Sequence, residues 1–474
     1  MRLRCGAWAL TPVLTLFLVG CAVGPDYQEP ELGVPTAYES PVDVLPVADT
    51  ARPWWLGFED PDLDALVALG LDENVPLREA EARARRALEV TRSVRSDLFP
   101  VVDGDVTGNA RSDLQGDGTD SVDAGLVMAF VPDLFGAQRR RLQAALADSA
   151  GARLRLADAR RLTVAGIAQQ YIELRRTQAR LILLEQSLVL QQQTLEIVRL
   201  RRFAGLAADL GVQRASADLA RNRAQRGLLE AARARAENAL AVLTGQAPAS
   251  FAVEARETAA VPDYRAGPAV GLPADLLRNR PDVRAAEQDL IAATATVGVE
   301  IADLYPRLRL PGSIAFNLTG GGEDVVGALT AGLALPALDA GGRRADVRAA
   351  RADVDAALAR YRQSLLVSFQ EVENALVAIR SFSDRNRELE AAVVASERAF
   401  EQLNALYREG LATFIDILDA QRQLIGSREQ LVDSTAGLAS AVVRLYVAAG
   451  APVPADPVQP AAGIPGAKAP AAVR

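Results

Sequence analysis

The chain has 474 residues, half of them apolar and about a quarter charged, which leaves room for a large core and argues against global disorder. Its net charge of −8 disfavours a nucleic-acid partner, because a surface that neutralises phosphates is basic. Histidine is absent, removing the commonest metal ligand and the commonest general acid or base together.

Residues 1–20 read as a bacterial export signal. Arg2 and Arg4 form the positive start, and Ala7 to Val19 form an apolar run shorter than the roughly 20 residues of a membrane-spanning helix. The run ends in Leu18-Val19-Gly20-Cys21, small residues before a cysteine, as in the lipobox of bacterial lipoproteins. Cys21 is therefore expected to carry a diacylglycerol and an N-acyl lipid. Cys5 leaves with the signal, so no disulfide or thiol catalyst is expected in the mature chain. Residues 21–53 then form a lipidated linker.

Two halves follow, 54–247 and 273–450, related at an offset of about 205 residues. Asp97-Leu98-Phe99-Pro100 returns as Asp303-Leu304-Tyr305-Pro306, and Ala204-Gly205-Leu206-Ala207 as Glu409-Gly410-Leu411-Ala412. Each half reads as a helix, two strands, a very long helix, a glycine break and another long helix. In the first half the strands are placed at 101–111 and 121–131, and the long helices at 137–203 and 209–243. In the second half a helix at 281–304 precedes strands at 307–319 and 325–335, then helices at 343–409 and 414–449. Residues 248–272 are a Pro-punctuated connector, and 451–474 a Pro/Ala tail expected to be disordered.

The strands alternate with period 2: Val122, Ala124, Leu126, Met128 and Phe130 share one face, as do Leu308, Leu310, Ile314, Phe316 and Leu318. About ten residues suits a tilted membrane strand, and the Gly/Asp-rich stretches Arg111–Asp120 and Gly320–Asp324 read as loops. Four strands cannot close a membrane barrel, and open edges cannot sit in lipid, so membrane insertion requires an oligomer. Arg343 to Glu409 contains neither Gly nor Pro. As one helix it would extend roughly 100 Å. Its apolar stripe runs Val347, Ala350, Val354, Leu358, Tyr361, Leu365, Phe369, Val372, Leu376 and Ile379. The next helix holds a heptad, Ile417, Leu424, Leu431, Leu438 and Leu445, which signals coiled-coil packing. In the first half Leu174, Leu181, Leu184, Leu188, Leu195 and Val198 form the matching seam.

The motifs Cys21-Ala22-Val23-Gly24-Pro25-Asp26-Tyr27, Trp54-Trp55-Leu56-Gly57-Phe58-Glu59-Asp60-Pro61, Gly271-Leu272-Pro273-Ala274-Asp275-Leu276-Leu277 with Arg280-Pro281-Asp282, and Leu418-Asp419-Ala420-Gln421 occur in that order. Together they resemble the TolC-like outer-membrane efflux proteins, specifically the OprM/NodT lipoprotein branch. The resemblance implies a mainly α chain with a small membrane β part. A homotrimer would close a twelve-stranded β-barrel, four strands per protomer, above a long coiled-coil helical barrel. It also implies a lipid-anchored outer-membrane duct of a tripartite efflux pump, extending into the periplasm. A periplasmic adaptor (membrane fusion) protein and an inner-membrane RND-type transporter would be its partners. A duct for type I protein secretion is the alternative.

By the same resemblance Tyr407, Ile415, Asp416 and Asp419 lie at a periplasmic gate. Asp416 and Asp419, three apart on a helix, share a face and would concentrate negative charge about a threefold axis. The competing reading is that Asp simply starts a solvated helix. Arg202, Gly205, Leu206, Gly410 and Leu411 fall at the tips where the adaptor is expected, while Gly205 and Gly410 also suit helix C-termini. Trp54 and Trp55 read as packing anchors. No cofactor, metal site or catalytic constellation is expected: Gly320-Gly321-Gly322 and Gly341-Gly342 lack the context of a phosphate loop.

Overall fold

The computed structural model describes residues 22–31, 33, 38–39, 53–112, 118–251, 260–264, 280–319, 322–451 and 453. A 3-10 turn at Trp54–Phe58 is followed by helices α1 (Pro61–Glu73) and α2 (Val75–Ser96), strands β1 (Val101–Ser112) and β2 (Gly118–Ala129), and helices α3 (Ala137–Phe203) and α4 (Asp209–Leu243). The second half has α5 (Pro281–Ala302), β3 (Arg307–Arg309), β4 (Gly312–Thr319), β5 (Gly322–Leu329), β6 (Gly332–Ala334), α6 (Gly342–Arg408) and α7 (Phe414–Ala448). The signal segment, Cys21, the Gly271–Leu277 motif and the tail beyond residue 453 lie outside the described residues, as does most of the connector.

The duplication is visible in the backbone. Gly136, Gly205 and Gly245 have positive φ, and so do Gly341, Gly410 and Gly450 at the offset of about 205 residues. Both long helices have 67 residues, and both helices that follow have 35.

The strands depart from the sequence reading in their ends. The segment 307–319 is two strands, not one, because Pro311 has no amide to give a ladder. β3 pairs with β6, while β4 lies between β2 and β5. The segment 325–335 is likewise split, and its first strand starts at Gly322. Strand β2 spans Gly118–Ala129 instead of 121–131, and Val131-Pro132 follows it. The Arg111–Asp120 stretch is no ten-residue loop: β1 and β2 stay paired out to Ser112 opposite Gly118, since backbone ladders tolerate Gly, Asp and Ser when the partner strand is in register. Helix α5 ends at Ala302, two residues before the expected end.

The larger sheet has the order β1-β2-β4-β5. Its register sets Val102 opposite Met128, Val106 opposite Ala124, Leu126 opposite Ile314, Ala124 opposite Phe316 and Phe316 opposite Val325. Opposed residues in an antiparallel sheet share a face, so one apolar face runs across all four strands. Val106, Leu126, Ile314, Phe316, Val325 and Leu329 on it are exposed.

The chain divides into two compact units: residues 1–34, 79–156 and 281–367, and residues 35–78, 157–280 and 368–474. In the second, Trp54, Trp55, Phe58, Leu63 and Val67 pack with Val164, Ile167, Tyr171 and Ile172 of α3, Leu240 of α4, and Val442, Val443 and Tyr446 of α7. Trp54 stacks on Tyr446 at 5.5 Å between ring centroids. The two tryptophans are therefore core, as expected of packing anchors. Beside them Arg175 is buried, donating to Asp62 at 2.6 Å, the Tyr171 hydroxyl at 2.9 Å and Gln178 at 2.9 Å. Tyr171 in turn donates to Asp60, whose other carboxylate oxygen caps α1. Burial and Asp60 together push the Tyr171 hydroxyl pKa well up, so it stays a donor.

The α6 stripe is buried at Val347, Ala350, Tyr361, Leu365, Val372 and Leu376. On α7 the heptad holds at Ile417, Leu424 and Leu445. Leu431 and Leu438 are only half-buried, and Ser434, Ala436 and Ala439 are buried instead. A 3.6-residue helix drifts off a strict seven-residue repeat unless it supercoils fully.

Candidate functional site

The turns that end α3 and α6 are built alike. Gly205 N donates to Arg202 O and Leu206 N to Arg201 O, at 2.9 and 2.8 Å. Gly410 N donates to Tyr407 O and Leu411 N to Leu406 O, at 3.0 and 2.8 Å. Both are Schellman caps, which need a left-handed residue, and glycine supplies it with φ of +75° and +80°. Leu206 and Leu411 are left exposed, as is Phe203, whose side chain is almost entirely in solvent. Arg202 pairs with Asp209 across the first turn at 3.0 Å.

The starts of α4 and α7 differ. Helix α4 has Ala208 at its N-cap with no side-chain hydrogen bond. Helix α7 opens on a capping box: the Asp416 carboxylate accepts from Thr413 N at 2.9 Å and Thr413 Oγ1 at 2.6 Å, while Asp416 N donates to Thr413 Oγ1 at 3.4 Å. These bonds hold the Asp416 pKa below the usual carboxylate value. Asp419, one turn on, accepts from Gln423 at 3.1 Å. Ile415, Asp416 and Asp419 are all exposed. Gly211 stands where Asp416 stands in the second half, and a Cβ there would meet Val198 and Phe414.

Tyr407 is buried rather than facing solvent. Arg201 covers it, with the guanidinium 4.6 Å from the ring centroid and Nη1 donating to the Tyr407 carbonyl at 2.7 Å. Burial raises the Tyr407 hydroxyl pKa, with Arg201 opposing the shift. Arg201, Tyr407, Val198, Leu206, Phe414 and Ile415 border a hollow of about 320 Å³. A short distance along the same helices, buried Asp218 of α4 accepts from Arg422 of α7 at 2.6 and 2.7 Å.

A second built feature lies in the other unit, at the segment that follows Cys21. Val23 N donates to Phe135 O at 3.1 Å. Arg140, buried at the start of α3, donates to Val23 O, Gly24 O and Asp26 Oδ1 at 3.2, 3.1 and 2.7 Å. Gly24, at φ +96°, rests so close to Gly298 that an added Cβ would stand 2.5 Å from its Cα. Tyr27 then donates to Glu287 at 3.0 Å.

Comparison with known proteins places this geometry. The outer membrane efflux protein family matches residues 66–246 and again 272–451, one match to each half. The chain belongs to the outer membrane efflux protein family. It is 30% identical to nodulation protein T of Rhizobium leguminosarum bv. trifolii, over 93% of this chain and 96% of that protein. It is 30% identical to the solvent efflux pump outer membrane protein SrpC of Pseudomonas putida, over 92% and 96%. Its fold matches the outer-membrane channel OprN with a TM-score of 0.81 and 34% identity, covering 91% of this chain and 99% of that one. The Neisseria gonorrhoeae MtrE channel matches in fold, with a TM-score of 0.78 at 24% identity over 91% and 98%.

The chain is thus an outer-membrane efflux channel, and the resemblance drawn from its motifs holds. Within this family member, the tip residues Arg202, Gly205, Leu206, Gly410 and Leu411 fall on two turns built alike, in one unit. Ile415, Asp416 and Asp419 share the exposed start of α7, whereas Tyr407 is set apart beneath Arg201. Sequence reasoning passed over Arg201, Arg140 and the Asp218–Arg422 pair. The Thr413-x-x-Asp416 spacing was a legible capping signal.

Proposed function

We propose that three copies of this chain join their four-stranded sheets into a twelve-stranded barrel, forming a passive duct for small molecules. The observation that carries this is the sheet itself. β1 and β5 each have one unpaired edge, and a continuous apolar face lies exposed across all four strands. In hydrocarbon each unpaired backbone group costs several kcal/mol, so the edges must meet other copies. Light scattering on detergent-solubilised protein should give three chains, and a monomer that stays inserted in bilayers would refute the assembly.

In this reading Cys21 carries the lipid, and the Val23–Tyr27 segment leads from it to the start of α3. The turns at Gly205 and Gly410 meet a periplasmic adaptor through Arg202, Leu206 and Leu411, and an inner-membrane RND-type transporter supplies the cargo. Relatives named for solvent and toluene efflux favour small apolar cargo.

Ile415, Asp416 and Asp419 form the constriction, with Tyr407 backing it. Three copies of two exposed carboxylates make a cation-preferring ring. Asp416 also closes the capping box of α7, so one carboxylate would serve both the helix start and the ring. Replacing Asp416 and Asp419 together by Ala should shift the reversal potential in asymmetric salt. An unchanged reversal potential would remove the ring from the constriction.

A further inference from the structure

The seam between α3 and α7 is apolar for most of its course, and its antiparallel register is fixed by polar links. Gln169 donates to Ser440 O at 3.1 Å, Arg176 to Asp433 at 2.8 Å and Arg180 to Glu429 at 3.3 Å. Carried forward, that register brings Gln421 of α7 level with Ser187 and Leu188 of α3, with Gln191 about one helical turn further along. Ile417 and Leu424 flank Gln421 and are buried, so a leucine there would continue the seam. Instead Gln421 is 1% exposed, and neither its Oε1 nor its Nε2 has a protein partner. Gln191 Oε1 and, one turn away, Ser187 Oγ are buried and unpartnered as well. Ser187 borders a cavity of about 40 Å³ between Leu183, Leu190, Leu424 and Ile425.

Buried amides without partners are costly. A water needs roughly 10–15 Å³ and two to four polar partners, and the cavity beside Ser187 has that room, with Gln186 and Arg428 also on its border. We propose that Gln191, Gln421 and Ser187 hold ordered water inside the paired helices, and that this wet layer is the joint at which the Gly205 and Gly410 turns move against the Trp54–Tyr446 core. Water-mediated bonds exchange partners freely, so a hydrated layer holds the helices in register while resisting bending less than interlocked leucines. Next to it the Asp218–Arg422 pair ties α4 to α7, keeping the two helix pairs together as the joint flexes. The buried Gln of the Leu418-Asp419-Ala420-Gln421 motif thereby acquires a role.

The water site stands without the duct reading, whereas the joint rests on it, so two readouts separate them. Hydrogen exchange on the bilayer-embedded full chain is expected to be faster in peptides covering 187–194 and 417–425 than in the dry stretch 438–446. The Gln191→Leu/Gln421→Leu double variant should slow it there by about tenfold or more. A density map of the wild-type protein should place water within hydrogen-bond distance of the Gln421 amide, a measurement that does not depend on the variant folding. Direct bonding between Gln191 and Gln421 with no water, or equal exchange in both proteins, would overturn the site. In planar bilayers the double variant should open less often. Unchanged opening with slowed exchange would overturn the joint alone, and a wild-type protein that conducts nothing would fail the duct reading instead.

Discussion

Arg201 and Tyr407 stand 206 positions apart and are joined twice, through a 2.7 Å hydrogen bond to the tyrosine carbonyl and through the guanidinium over its ring. The pair fastens the end of α3 to the end of its counterpart in the other half, α6. Arg201→Ala removes a charged hydrogen bond and a cation–π contact, and should cost about 2–3 kcal/mol. The resting conductance should rise, and single-channel recording checks it. Arg201→Lys keeps the charge without the planar stack and should fall between the two. A variant as tight as the parent would mean that the link does not restrain the turns.

Arg140 makes a comparable test at the other unit. Arg140→Ala leaves the Val23 and Gly24 carbonyls without their donor, and the segment after Cys21 should detach. A loss of about 1.5–3 kcal/mol is expected from the hydrogen bonds of a charged donor. Limited proteolysis should then cut near Val23 to Tyr27 while mass spectrometry finds Cys21 still acylated. Protection equal to that of the parent would assign the hold to Gly24 against Gly298 instead.

The capping box sets a pH dependence. The folded Asp416 pKa lies below the unfolded value of 3.8, so its contribution is complete above that value and disappears as pH falls through the lowered one. Helix α7 should therefore keep its cap throughout the neutral and mildly acid range. Charge on Asp416, and any cation preference it confers, should likewise persist to lower pH than for an ordinary carboxylate. Thr413→Ala removes the two bonds made by the hydroxyl and leaves the one from the backbone N–H; it costs about 1 kcal/mol of helix stability and should move the pH midpoint of the reversal potential upward. A midpoint that stays put would show that Thr413 does not tune the carboxylate.

Trp54 stacks on Tyr446 and is buried among residues of α3 and α7. Trp54→Ala should destabilise the chain by about 3–5 kcal/mol, with thermal unfolding as the readout. A loss below about 1 kcal/mol would place Trp54 at the rim of the core rather than within it.

The long helices were legible because their signals are local and repeated: an apolar stripe every three or four residues, no Gly or Pro within α6 after its first residue, and glycine at each break. Residues 137–203 and 209–243 are placed as their periodicity dictates. The strand ends were not legible. The ladder from Asn109 to Ser112 depends on partners in β2, and nothing in a Gly/Asp-rich stretch tells a paired strand from a loop. Arg201, Arg140 and Arg422 were invisible for another reason. Each is one arginine among many, and its partner lies more than a hundred residues away in sequence, at Tyr407, Asp26 and Asp218. Gln421 belongs to a motif, but its burial becomes visible only once α3 and α7 are paired.

The strand order has a consequence for assembly. Within one chain, β2 of the first half zips to β4 of the second, so in the larger sheet the last strand of one repeat meets the first strand of the next. The free edges, β5 and β1, stand in the same relation to each other when one chain follows another around a ring. With an even number of strands per repeat, up-and-down alternation never breaks. In the proposed ring, the seam inside the molecule would be a covalently tethered copy of the seam between molecules. A chain of half the length could build the same wall from twice as many subunits; joined in one chain, the two halves are free to differ, as Gly211 and Asp416 do at matching positions.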